Sequence, residues 1–198
     1  MLALLAANLP CHIVAVISNK ADAQGLEIAA GHGIATQIVA HKDYTDRASF
    51  DAALALVIDS YQPDFVVLAG FMRILTDQFV NHYRGRLINI HPSLLPAYAG
   101  MNTHERALQD GVKIHGCTVH FVTPELDCGP IIIQAAVPVR VQDTVQTLSA
   151  RVLGQEHIIF PRAIRWLCEG KVSLNAVGRT IISGTEHDYA VLIAPIVE

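Results

Sequence analysis

The chain has 198 residues, 52% of them hydrophobic and 16% charged, with a formal net charge of −4 at pH 7. That length and apolar content suit one compact domain with a sizeable core, and the absence of any basic run leaves nucleic-acid binding without support. The opening 1–7 stretch is apolar, but it lacks a positive leader region and is too short to span a bilayer, so the reading is a cytoplasmic protein that engages no membrane.

In chain order, 12–18 and 37–40 read as strands with a helix over 23–31 between them. Phe50, Leu54, Val57, Ile58 and Tyr61 fall at helical spacings, and Pro63 ends that helix. Strands follow over 64–69, 86–91 and 116–122. Only seven residues separate Val122 from Pro130, too few for a crossover helix, so 131–137 returns antiparallel. Asp143 or Thr144 caps a long final helix whose Val145, Leu148, Val152, Ile159 and Trp166 share one side. From 171 onward the chain reads as short extended pieces ending in the apolar 189–193. This alternation predicts an α/β domain: a mostly parallel twisted sheet with helices on both faces and an antiparallel strand in the C-terminal half.

Cys11, Cys117, Cys128 and Cys168 show no paired spacing, which argues for reduced thiols over zinc or a disulfide framework. None of the ten histidines sits in an H-E-x-x-H or comparable pattern, so no metal is expected.

The segment Leu87-Ile88-Asn89-Ile90-His91-Pro92 carries the chemistry. A period of two puts Asn89 and His91 on one face, and Pro92 breaks the strand just beyond them. In open α/β sheets ligands bind at that strand end, and an amide beside an imidazole suits a carbonyl oxygen that gains negative charge. The same pair could instead satisfy neighbouring backbone. Three companion segments stand out: 70–75 after a strand, 116–130, and Gly154-Gln155-Glu156-His157 within the last helix. His104, His115 and His157 could line a site or be structural.

Together, Ser18-Asn19-Lys20-Ala21-Asp22-Ala23 and the segments 69–75, 87–96 and 115–130 resemble the glycinamide ribonucleotide transformylase family, the folate-dependent phosphoribosylglycinamide formyltransferases. The resemblance covers roughly 12–170 and implies a Rossmann-like formyltransferase fold. It implies formyl transfer from 10-formyltetrahydrofolate, as co-substrate, to the amine of phosphoribosylglycinamide in purine synthesis, by a monomer or homodimer. By the same resemblance Asn89, His91 and Asp127 are catalytic. Arg47, Met72, Arg73, Ile74, Leu75, Asn89, Thr123, Pro124, Glu125, Leu126 and Asp127 meet the folate, and Pro92 and Glu156 meet the ribonucleotide. Asn89 and a protonated His91 would stabilise the oxyanion, Asp127 would assist proton transfer, and neither Ser93 nor Cys117 is needed as a nucleophile.

Related folate enzymes share parts of the pattern. A formyltetrahydrofolate hydrolase and an inactive folate-binding remnant are the alternative readings. The family normally opens with a strand and a glycine-rich phosphate loop, whereas this chain starts within what reads as the following helix, at 1–9, so 1–198 is expected to be a single, N-terminally incomplete domain. The apolar 189–193 tail could then occupy the vacant strand position. Smaller departures are Ala97 and Ala99 in the loop after Pro96, and Cys128 after Asp127.

Overall fold

A computed structural model describes residues 1–184; the tail 189–193 lies outside the described residues. The chain opens with helix α1 (Leu2–Ala6), then alternates strand β1 (Ala15–Ser18), helix α2 (Gln24–Gly31) and strand β2 (Ala35–Ile38). Helix α3 (Arg47–Ser60) starts three residues before the first apolar position in its pattern. Asp46 and Ser49 make a reciprocal capping box there, which satisfies backbone N–H groups that the helix itself leaves free.

Strand β3 (Val66–Leu68), helix α4 (Asp77–His82), strand β4 (Leu87–His91), helix α5 (Thr103–Gln109), strand β5 (Ile114–Phe121) and strand β6 (Ile131–Pro138) follow. Helix α6 (Val145–Cys168) is capped by Thr144 with Thr147 in a second capping box. Its Leu148, Val152 and Ile159 are buried as the periodicity predicts, while Val145 in the first turn is 40% exposed. Beyond α6 the extended pieces pair as an antiparallel hairpin, β7 (Val172–Leu174) with β8 (Thr180–Ile182), lying against β6.

The main sheet has the order β3-β4-β5-β6. β3 pairs parallel with β4, β5 runs antiparallel to β4, and β6 runs antiparallel to β5. Two of the three pairings are antiparallel because β5 alone is reversed, and β6 runs again in the direction of β3 and β4. The consequence of that reversal is local: an antiparallel partner starts at the end where β4 stops, so 92–113 never crosses back and stays above the C-terminal end of β4. β1 and β2 form a separate parallel pair. That pair and the main sheet share no hydrogen-bonded strand pair among the described residues, although Ile17 of β1 packs on the same cluster as Val66 and Leu68 of β3.

Alternation along β4 divides the core in two. Ile88 joins Val119, Phe121, Leu148, Val152 and the rest of α6 on one face. Leu87 joins Phe50, Leu54, Ile58, Phe79 and Tyr83 beneath α3 and α4 on the other. Truncating either fully buried side chain to alanine costs about 2–5 kcal/mol. Asn89 and His91 share the parity of Leu87 and so project from the α3/α4 face. No helix among the described residues is long and apolar enough to cross a membrane.

Candidate active site

Strand pairing assembles the site. The β4–β5 register sets Asn89 opposite His120 and His91 opposite Thr118, and directly opposed residues point to the same face. The loop after β5 turns back across that face and delivers Asp127. This turn needs Gly129: a Cβ there would stand 1.7 Å from the Phe121 carbonyl oxygen. Asp127 itself has φ 53°, a left-handed conformation that aspartate adopts more readily than most side chains.

The contacts define protonation roles. His120 is 1% exposed, and its Nδ1 lies 2.9 Å from the Phe121 carbonyl oxygen, which can only accept. Nδ1 therefore carries the proton, and Nε2 accepts from the Asn89 amide at 3.3 Å. Burial holds the His120 pKa below its ordinary value, against the Phe121 bond and the Asp127 charge, which keeps the ring neutral in this role. One Asn89 N–H is thus fixed and the other is left for a ligand.

His91, 7% exposed, stands between two acceptors: its Nδ1 is 3.5 Å from Asp127 Oδ2 and its Nε2 is 3.0 Å from the Tyr98 carbonyl oxygen. A ring bearing both protons satisfies both. Asp127 also accepts from the Gly100 N–H at 2.8 Å, and its Oδ1 is 3.9 Å from His120 Nε2. The loop that supplies Tyr98 and Gly100 is pinned by Arg106, which donates to the Ala99 carbonyl at 2.7 Å and lies 5.4 Å over the Tyr98 ring. At its base Thr118 Oγ1 donates to the Ser93 carbonyl at 2.6 Å and accepts from the Leu95 N–H at 3.1 Å and Gln134 Nε2 at 2.9 Å. Every hydrogen-bonding position of that buried hydroxyl is used.

Behind Tyr98, His115 is 1% exposed and 3.2 Å from His104. Burial, then the neighbouring His104 and His91, push its pKa down to about 4. His157 is exposed on α6. Two possible nucleophiles are disarmed: Ser93 is fully buried with its hydroxyl donated to the Ala97 carbonyl at 2.6 Å. Cys117 is fully buried, and burial with the Glu156 charge pushes its thiol up to about 12.

The segment after β3 alternates. Phe71, Arg73 and Leu75 turn inward to half-buried positions, while Met72 and Ile74 are 72% and 56% exposed. Leu75 packs on the α3/α4 core, and Arg73 lies 5.2 Å over the Phe50 ring with its Nε buried and unpartnered. Pro124, Glu125 and Leu126 are exposed on the loop before Asp127, and Thr123 Oγ1 donates to the Glu125 carbonyl at 3.2 Å. Arg47 is exposed at the start of α3, and Pro92 is half-buried directly after His91. Glu156 lies across the sheet from the trio, on α6 near Cys117, and burial raises its carboxyl pKa. His120 is the site residue that sequence reasoning missed, because its place opposite Asn89 exists only through antiparallel pairing.

Comparison with known proteins gives a consistent result. The family profile described as formyl transferase matches residues 1–164. The phosphoribosylglycinamide formyltransferase of Escherichia coli K12 is 53% identical over 161 residues, 81% of this chain and 76% of that protein. The bovine trifunctional purine biosynthetic protein adenosine-3 is 52% identical over 168 residues, 85% of this chain but only 17% of the relative's length. The solved phosphoribosylglycinamide formyltransferase of Coxiella burnetii superposes with a TM-score of 0.86 at 47% identity, covering 92% of this chain and 87% of that one.

Proposed function

The chain belongs to the formyl transferase family, and from that membership we propose that it transfers the formyl group of 10-formyltetrahydrofolate to the amine of 5'-phosphoribosylglycinamide, a one-carbon step of purine synthesis carried out in the cytoplasm. The observation that supports this reading best is the meeting of Asn89, His91 and Asp127 at one strand end.

The amine attacks the formyl carbon and the carbonyl electron pair moves onto oxygen. The free Asn89 N–H donates to that oxygen, and the His91 Nε2 proton adds a charge-assisted donor. To reach Nε2, the oxyanion replaces the Tyr98 carbonyl as acceptor. Asp127 holds Nδ1 and, through water, helps carry the proton from the attacking nitrogen to the departing folate nitrogen. No covalent enzyme intermediate is required.

Met72, Ile74 and Leu126 are each exposed apolar side chains, and they and the 123–127 loop are assigned to the flat folate ring. Arg47 is the freer cation for the folate carboxylates, since Arg73 is committed to Phe50. Pro92 and Glu156 are assigned to the ribonucleotide. The test is formyl transfer to glycinamide ribonucleotide by the purified chain. Product formation supports the reading, formate release without the amine substrate identifies a hydrolase, and folate binding without either identifies a non-catalytic module.

A further inference from the structure

The segment assigned to folate is held from behind by one turn of α3. Residues 70–76 connect β3 to α4, and the half-buried Phe71 and Leu75 pack on the cluster that contains Phe50, Leu54 and Phe79. Arg73 lies 5.2 Å over the Phe50 ring. The next residue of α3, Asp51, is only 3% exposed, and its Oδ2 accepts from the Thr76 N–H at 2.6 Å. A carboxylate taken out of water costs free energy unless hydrogen bonds replace its hydration, so an aspartate buried at this position calls for a role.

Helix α4 shows that role. Thr76 is its N-cap, and Thr76 Oγ1 accepts from the Phe79 N–H at 3.3 Å. In the capping boxes of α3 and α6 the third helical residue, Ser49 or Thr147, returns a side-chain acceptor to the N–H of the cap residue. At α4 that position is Phe79, which has no acceptor to offer. Asp51 supplies one from the neighbouring helix, so the box is completed between two elements. We propose that Asp51 is a positioning residue for the folate co-substrate: buried behind the segment, it fixes Thr76 to α3 and so sets how Met72 and Ile74 are presented. The inference rests on the assignment of 72–75 to folate. Phe71, Arg73 and Leu75 are tied inward, their neighbours Met72 and Ile74 stand 72% and 56% exposed, and the bond to Thr76 closes the far end of the segment. A segment already held in place loses less freedom when a ligand settles on it, so the gain falls on folate affinity and not on the chemical step at the end of β4.

The experiment compares Asp51→Ala and Asp51→Asn with the unaltered chain in the formyl-transfer assay, varying 10-formyltetrahydrofolate and glycinamide ribonucleotide in turn, and measures tetrahydrofolate binding by calorimetry. Asp51→Ala is expected to raise the folate KM and the tetrahydrofolate Kd by about tenfold, with kcat and the ribonucleotide KM within about twofold. Asp51→Asn keeps an oxygen that accepts from the Thr76 N–H and should recover most of the loss. A second pair reads the same bond from its donor side if Asp51→Ala does not fold: Thr76→Pro deletes the N–H at a residue whose φ of −72° already suits proline, and Thr76→Ala keeps it. Thr76→Pro should weaken folate more than Thr76→Ala does. An unchanged folate KM in Asp51→Ala, an equal rise in both KM values, an Asp51→Asn no better than Asp51→Ala, or a Thr76→Pro no worse than Thr76→Ala would each overturn the proposal. An unaltered chain that neither binds tetrahydrofolate nor transfers formyl would instead overturn the folate assignment, and this inference with it.

Discussion

The Asn89 amide nitrogen lies 3.3 Å from His120 Nε2, across a strand pair that sets the two residues face to face. Because His120 Nδ1 is already committed to the Phe121 carbonyl, the ring can only accept from Asn89, and this fixes which amide hydrogen is held by the ring and which, in the proposed mechanism, meets the oxyanion. His120→Leu is expected to lower kcat by about tenfold or more, less than the roughly hundredfold cost of losing a donor outright, with the folate KM little changed. His120→Gln, which retains an acceptor, should recover part of the loss. Steady-state kinetics on both variants separates this positioning role from a packing role, for which the polar Gln would do no better than Leu.

Gly129 permits the turn that brings Asp127 to His91. Gly129→Ala would place a Cβ 1.7 Å from the Phe121 carbonyl oxygen and 2.8 Å from its carbon, both backbone atoms that cannot swing aside. The expected result is a lower Tm together with loss of turnover, read by thermal melts and the formyl-transfer assay.

His115 makes stability sensitive to mild acid. Its pKa is lowered from 6.5 to about 4 in the folded chain, chiefly by burial, so between those values the unfolded chain binds more protons. Stability should therefore fall as pH drops from 6.5 toward 4 and level off below that. His115→Gln should flatten this part of the Tm–pH curve, with the residual slope due in part to His104, which burial also lowers.

Glu156 has the opposite sign of linkage. Burial raises its carboxyl pKa above the ordinary 4.5, so the ionised group opposes folding, and this cost grows as pH rises from 4.5 through the folded value. Glu156→Gln is expected to raise Tm at pH 7 while increasing KM for the ribonucleotide. A raised Tm with unchanged KM would remove Glu156 from the substrate site.

The residues legible in the sequence were those whose roles follow from local pattern. A period of two in β4 was enough to pair Asn89 with His91, and Pro92 marked where the strand breaks. Capping chemistry narrowed the α6 start to Asp143 or Thr144, of which Thr144 is the cap, and helical spacing found the buried Leu148, Val152 and Ile159. What local pattern did not carry was pairing between distant strands. His120 entered the site only because β5 runs antiparallel to β4. Likewise, nothing local in 72–75 separates its two sides, yet Arg73 and Leu75 are half-buried while Met72 and Ile74 face out. The hairpin β7–β8 depends on a turn closed by Asn175, whose side chain accepts from the Val177 N–H at 3.1 Å and the Arg179 N–H at 2.9 Å, a contact invisible in composition.

The most direct test of the central claim is the rate of formyl transfer from 10-formyltetrahydrofolate to glycinamide ribonucleotide by Asp127→Asn, measured beside its affinity for the folate. Asparagine keeps the shape but removes the charge that faces His91 Nδ1 at 3.5 Å. The account predicts that turnover falls by about a hundredfold or more while folate binding stays within about threefold of the unaltered chain. Turnover close to that of the unaltered chain would contradict it and detach Asp127, and with it the His91 assignment, from the chemistry.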